Sequence, residues 1–365
     1  MGNISAKIKG WNKNSKRDFL NYILVVVVFL LVQMAMNGGM ISYSIRGQLV
    51  PICAYIVMAI SLNLTVGVLG ELSLGHGAFM SIGAFSGVFF TMVTEQTIAS
   101  SGARLFLAFV VGTVMAAIMG FLIGIPVLRL KGDYLAIVTL AFGEIVKNIF
   151  NVLYVGMDAN GVRAAIGEES KLNLDIDGKN IISGAMGVPG GSKMSTFLIG
   201  FILVLVALFV AQNLVRSRTG RAIMAIRDNR IAAQAMGINI TKYKLIAFTI
   251  SAALAGAAGV LYGHNYSTFQ AGKFDYTMSI QILLFVVLGG IGSFRGAMVS
   301  ATVLTLLPEM LRGLRNYRML IYAIVLIAVM IFNQSPKVVQ WRSAMMEKLP
   351  NIPFIKKKTN TQGGN

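Results

Sequence analysis

Residues 216–244, RSRTGRAIMAIRDNRIAAQAMGINITKYK, lie between two long apolar runs. They hold seven basic residues (Arg216, Arg218, Arg221, Arg227, Arg230, Lys242, Lys244) against a single acid, Asp228. The chain is 56% hydrophobic and 13% charged, with a mean hydropathy of +0.72. In such a chain this segment reads as a structured loop that leaves a bilayer on its cytoplasmic side. Working outward from it, charges cluster between apolar runs of roughly 17–25 residues, the length that crosses a hydrocarbon core. Runs such as Ile23–Val32 do not alternate, which excludes a membrane β-barrel.

The expected fold is therefore all-α: a polytopic transmembrane helix bundle of about ten spans (8–10), with both termini cytoplasmic. The spans fall at 19–36, 48–69, 73–94, 104–128, 134–155, 195–215, 245–263, 279–293, 296–311 and 319–333. With that parity, 21 of the 32 lysines and arginines face the cytoplasm, ten face out, and Lys147 lies within a span. The run 279–311 is short and broken by Gly289, Gly290, Gly292 and Gly296. It reads as two spans or a re-entrant pair, either of which keeps the C-terminal tail inside. Arg312, Arg315 and Arg318 on the outer side run against the charge rule. Residues 1–18 read as a basic cytoplasmic tail; the apolar run after them is a first span or a signal peptide, and the lack of a small-residue cleavage site favours an uncleaved span. Residues 156–194 form an external loop and 334–365 a basic cytoplasmic tail.

Composition also narrows the chemistry. The formal net charge of +18 follows from cytoplasmic lysines and arginines, so the lipid bilayer, not nucleic acid, is the expected partner. The single cysteine, Cys53, sits in an apolar run and reads as a small core residue. Neither His76 nor His264 has a cysteine or carboxylate cluster at ligand spacing, so no metal is expected. No phosphate-binding loop is present. In GVPGGSKMS, starting at Gly187, Ser192 and Met194 stand where Gly and Ser or Thr belong. No cofactor is expected, and any ATP used would be hydrolysed by another chain.

Three stretches carry polar residues where apolar ones are the norm. LNLTVGVLGELSLGHGAFMSIGAF (62–85) crowds five glycines around Asn63, Glu71, Ser73 and His76. It reads as a tight turn between packed helices or as a break beside a pathway. YLAIVTLAFGEIVKNIFNVLY (134–154) places Glu144, Lys147, Asn148 and Asn151 at i, i+3, i+4 and i+7, one face of a helix. Intramembrane charges are costly and pair with a partner or face a cavity. Glu144 and Lys147 are the obvious pair, either lining a path or fixing helix packing. Within the opening stretch, IAAQAM is helix-forming, and Gly237 followed by Asn239 is a stop signal. A short helix at the cytoplasmic face would serve as a handle for a soluble motor.

Four segments resemble LivM-type permeases, the membrane subunits of branched-chain amino-acid ABC importers, and they come in the family's order. They are SLNLTVGVLGELSLGHGAFMSIGAF (61–85), LRLKGDYLAIVTLAFGEIVKNIF (128–150), AIRDNRIAAQAMGINITKYKLIAFTISAALAGAAGVLYGH (225–264) and VVLGGIGSFRGAMVSATVLTLLPEML (286–311). The resemblance makes 19–333 a permease domain without catalytic residues. It implies a second permease subunit, two ABC ATPase subunits and an external solute-binding protein in a bacterial cytoplasmic membrane. The cargo would be leucine, isoleucine or valine, moved by alternating access. Ala232, Ala233 and Gly237 match the Ala-Ala and Gly of the ATPase-coupling loop. That loop would comprise Asp228, Arg230, Ala232, Ala233, Gly237 and Asn239. The acid often found before the Ala-Ala pair is absent, with Arg230 and Ile231 there instead, and Gln234 replaces a frequently charged position. Asn63, Ser73, His76, Glu144, Lys147 and Asn148 are the translocation-path candidates. The external loop matches the family least and is a plausible docking surface for the binding protein. Alternatives are the same importer class carrying urea, short amides or other amino acids. An ion-coupled secondary transporter would need several intramembrane carboxylates, and a membrane-embedded enzyme a nucleophile or metal constellation.

Overall fold

The computed structural model describes residues 13–310, apart from 41, 131, 159, 160 and 175–177, and scattered positions from 311 to 331. Residues 1–12, Lys131, Arg312, Arg315, Arg318 and the tail 334–365 lie outside the described residues, as does much of the expected span 319–333. The described positions of that span from 320 onward are helical.

The helices are α1 (Lys13–Asn37), α2 (Tyr43–Asn63) with a π-helical extension (Leu64–Leu69), α3 (His76–Val93), α4 (Ser101–Val127), α5 (Asp133–Val152), α6 (Phe197–Arg216), α7 (Arg218–Asp228), α8 (Arg230–Ala235), α9 (Ile240–Gly263), α10 (Tyr276–Gly289) and α11 (Phe294–Met310). Among the described residues, six are long and apolar enough to cross a bilayer: α2 with its extension, α3, α4, α5, α6 and α9. This is fewer than the expected ten. The apolar part of α1 is Asn21–Asn37, and α10 has only 14 residues, about 21 Å at a rise of ~1.5 Å per residue against a core of ~30 Å. Helices α10 and α11 pack together, Gly289 backbone against Gly296 backbone, with no room for a Cβ on either.

The bundle is centred on α9, which packs against α4, α3 and α2. The close approach has a sequence cause. Helix α4 buries Ala108, Gly112, Ala116, Gly120 and Gly124, a small residue every fourth position. That stripe meets Ala252, Gly256 and Val260 of α9. On its other side Gly256 carries its backbone against Gly83 of α3. The opposite face of α4 exposes Phe106, Val110, Val114, Phe121 and Leu122, as a lipid-facing surface would.

The all-α expectation is corrected in the segment 156–194, the expected external loop. It folds as a three-stranded antiparallel sheet of β1 (Leu153–Asp158), β2 (Gly161–Ile166) and β3 (Lys179–Ser183), in the order β2-β1-β3. The expected span 134–155 consequently ends as a helix at Val152, where the backbone turns extended at Leu153. The physical reason is local. β2 alternates half-buried and exposed positions, the period of a strand, and pairs with β1 from Asp158 and Gly161 through to Leu153 and Ile166.

Candidate coupling and translocation sites

Residues 216–244 form a chain of capped helices. Ser217 ends α6 in an extended conformation, and its Oγ accepts from the Gly220 N–H at 3.0 Å to start α7. Helix α7 buries Gly220, Ile223 and Ile226 and leaves Arg221 and Arg227 outside. Asn229, again extended, separates α7 from α8 and caps α8 by accepting from Ala232 N–H at 3.0 Å. Gly237 then adopts φ +77°, and the Ile238 N–H returns to the Ala233 carbonyl at 3.1 Å, closing the helix end. Asn239 caps α9 through the Lys242 N–H at 3.1 Å.

The expected coupling residues thus occupy one compact helix-turn-helix, though not with equal access. Asp228, Ala232, Gly237 and Asn239 are exposed, Arg230 is half-buried, and Ala233 is buried. Asp228 is held by Arg227, whose Nε and Nη2 reach its Oδ1 at 3.0 and 2.8 Å. The most exposed apolar groups here are Ile231 and Met236, each 82% exposed. Sequence reasoning noted Ile231 only as standing in the place of an acid and passed over Met236. Two large apolar side chains flanking a short helix beside a basic loop were the available signal.

The path candidates divide into two groups. Asn63, Ser73 and His76 are fully buried around the break between α2 and α3. Asn63 Oδ1 accepts from the Gly292 N–H at 2.8 Å, at the turn between α10 and α11. His76, the first residue of α3, joins a polar knot with Ser61, Thr65 and Ser251. The Ser61 and Ser251 hydroxyls each donate to the other's carbonyl at 2.6 Å, and Thr65 donates to Ser251 Oγ at 2.9 Å. With those protons committed, His76 Nε2, 2.9 Å from Ser61 Oγ and 3.0 Å from Ser251 Oγ, must be the protonated ring nitrogen. The knot ties α2, α3 and α9 together.

The second group lies on α5, away from the knot. Helix α5 packs inward through Leu135, Ala136, Thr139, Phe142 and Val146. At 100° per residue, Glu144, Lys147, Asn148 and Asn151 point away from that stripe. Glu144 and Lys147 form an ion pair with side chains 31% and 20% exposed, and Asn148 is exposed. The spacing argument for a shared polar face holds. The structure does not bring that face together with Asn63, Ser73 and His76 in one cavity.

At the far end of α3, His264 follows α9 and is buried. Its Nδ1–H donates to the Val260 carbonyl at 2.9 Å, leaving Nε2 to accept at 3.0 Å from the Thr91 hydroxyl, whose single proton it shares with the Val88 carbonyl at 2.9 Å. Burial pushes this imidazole below its ordinary 6.5, and Arg104 adds to the shift, against the pull of the Val260 bond.

Comparison with known proteins places this architecture. The permease proteins LivM of Salmonella typhimurium and of Escherichia coli are each 35% identical over 287 residues, covering 76% of this chain and 66% of the relative. The chain therefore spans just under two thirds of their length. The permease protein BraD of Pseudomonas aeruginosa is 29% identical over 269 residues, covering 68% of this chain and 79% of the relative. All three are named as parts of high-affinity branched-chain amino acid transport systems. No solved structure matches the chain. The family model described as "Branched-chain amino acid transport system / permease component" matches residues 44–330, more than half of the chain, and the protein belongs to that family.

Proposed function

We propose that this chain is a membrane-spanning permease subunit of an ATP-driven importer that moves leucine, isoleucine and valine across a bacterial cytoplasmic membrane by alternating access. It hydrolyses no ATP itself. Two separate ATPase subunits supply the energy, a second permease completes the path, and an external binding protein delivers the cargo to the side bearing the β-sheet. Both termini are cytoplasmic on this reading.

One observation carries the proposal most directly. The segment between α6 and α9 is a rigid, three-times-capped module that presents Ile231 and Met236 at its tip. A loop that served only to orient the chain would need charge and no such architecture. An apolar tip on a short rigid helix suits insertion into a groove of a soluble motor. The α5 face supports a shared path. A partly exposed Glu–Lys pair on a membrane helix calls for a protein or water-filled neighbour, because charge at the bilayer centre costs roughly 2.5–3.5 kcal/mol or more.

The test is reconstitution of the chain in liposomes with the ATPases, second permease and binding protein encoded beside it. ATP-dependent uptake of labelled leucine, competed by isoleucine and valine, is expected. Uptake of urea or short amides but not leucine would overturn the cargo. Uptake driven by an ion gradient without ATP would overturn the class.

A further inference from the structure

Two cations from different parts of the cytoplasmic segment converge on the interrupted end of α2. Arg227, at the end of α7, donates from Nη1 to the Gly67 carbonyl at 2.8 Å, while Asp228 holds its other two nitrogens. Its stem lies over Gly70, where an added Cβ would stand 2.5 Å from Arg227 Cγ. Lys244, in the second turn of α9, forms an ion pair with Glu71, their side chains 4% and 15% exposed.

The chemistry of the break explains why cations are there. The π-helical segment ends at Gly70 in a left-handed turn of φ +79°. The last carbonyls of a helix lack helical partners and carry the negative end of its dipole. Arg227 occupies one of them. The Lys244–Glu71 pair adds little net stability, because desolvation offsets its attraction, but removing one partner strands a buried charge. Such a pair fixes geometry. Beyond the break, a Cβ on Gly67 would meet Asn63 Oδ1 and the Gly292 backbone, with the Gly292 nitrogen at 2.5 Å. The turn between α10 and α11 therefore rests directly on the same residue that Arg227 grips.

We infer that Arg227 and the Lys244–Glu71 pair form a two-point clamp through which movement of α7 and α8 is delivered to the interrupted end of α2, and onward through Asn63 and Gly292 to the α10–α11 hairpin. The inference rests on the importer reading above and adds which membrane element is moved and by which side chains. These are positioning residues, since none need touch cargo or nucleotide. Arg227 ties the break to α7 and Lys244 ties it to the start of α9, so the break is held between the two ends of the segment that carries α8.

The experiment has two arms. In the purified full chain, hydrogen exchange across 64–75 is compared between wild type and Arg227→Gln. Loss of a charge-assisted hydrogen bond to a helix end should speed exchange there by about tenfold, with α4 unchanged. Unchanged exchange at 64–75 overturns the clamp whether or not the chain is an importer. In the reconstituted complex, uptake and ATP hydrolysis are measured in the same vesicles for Arg227→Gln, Glu71→Gln and the exchanged pair Glu71→Lys with Lys244→Glu. Uptake per ATP should fall about tenfold in the first two and recover substantially in the exchange. Hydrolysis and uptake falling by the same factor would mark a general structural role and overturn the clamp. A wild-type complex that hydrolyses ATP without any uptake would overturn the importer reading and leave the exchange result standing on its own.

Discussion

His264 shows how much one buried side chain can hold at a junction. Its ring bonds Thr91 near the end of α3 and Val260 of α9, and its carbonyl receives the Met194 and Ser195 N–H groups that lead into α6. The neutral ring suits these partners, because Nε2 accepts from a hydroxyl and burial disfavours charge. Its value in the folded chain is lowered, so the unfolded chain takes up the proton first as pH falls. The stability that neutral His264 contributes is present above about 6.5 and is lost as pH drops below it. Thermal unfolding of the detergent-solubilised chain should therefore show a lower Tm at about pH 5.5 than at about pH 7.5. His264→Gln should flatten that difference while lowering Tm at the higher pH. An equal pH response in both proteins would assign the effect to another group. His76 is committed inside the knot at the opposite end of α3, so the two histidines share no site.

Helix α8 is too short to be stable alone, and its form depends on its ends. Asn229 starts it, and Gly237 ends it at φ +77° with nothing within 4 Å of where a Cβ would stand. Size is therefore not what excludes side chains at 237; backbone conformation is. An L-residue in the left-handed region costs about 1–2 kcal/mol, less for asparagine and more for a β-branched residue. Gly237→Asn should keep most uptake in the reconstituted complex, and Gly237→Val should lower it about tenfold or more with insertion intact. Equal activity in the two variants would refute the conformational argument. This element was largely legible in the sequence, because caps are local: Asn229, Gly237 and Asn239 act on neighbours a few residues away. The polar face of α5 was legible for a similar reason, since 3.6-residue spacing fixes which side chains share a face. The three-stranded sheet was overlooked because the hydrophobic run leading into it was read as helix to residue 155, and the short two-residue alternation of Gly161–Ile166 was not weighed. What Arg227 and Lys244 grip could not be read, because Gly67 and Glu71 lie about 160 to 173 residues earlier and meet them only through tertiary packing.

At the scale of the molecule, the decisive point is where the polar groups of the membrane region lie. The interior candidates Asn63, Ser73 and His76 are fully buried among α2, α3, α9 and the α10–α11 turn, and the small-residue stripe of α4 closes one flank of α9, while the cavity of about 800 Å³ among α4, α6 and α9 is lined by apolar residues such as Val110, Leu203 and Ala253 and holds none of these candidates. A path between α3 and α9 would have to separate Gly83 from Gly256 and Gly259 from Met80, where backbones already touch. The face of α5 that carries Glu144, Lys147 and Asn148 is half open instead. Two charges there cannot face hydrocarbon at small cost, and they pair with each other while remaining reachable. Under the importer reading proposed above, the path is expected between this chain and a second permease, with α5 as this chain's contribution to its wall. Cysteines introduced one at a time at 148 and at 73 separate the alternatives. Asn148→Cys should react with a small membrane-impermeant thiol reagent in the assembled complex, and leucine should slow the reaction. Ser73→Cys should stay unreactive in resting and cycling complexes alike. Reaction at 73 with protection by leucine, and none at 148, would move the path into the interior of this chain and reverse the assignment of α5.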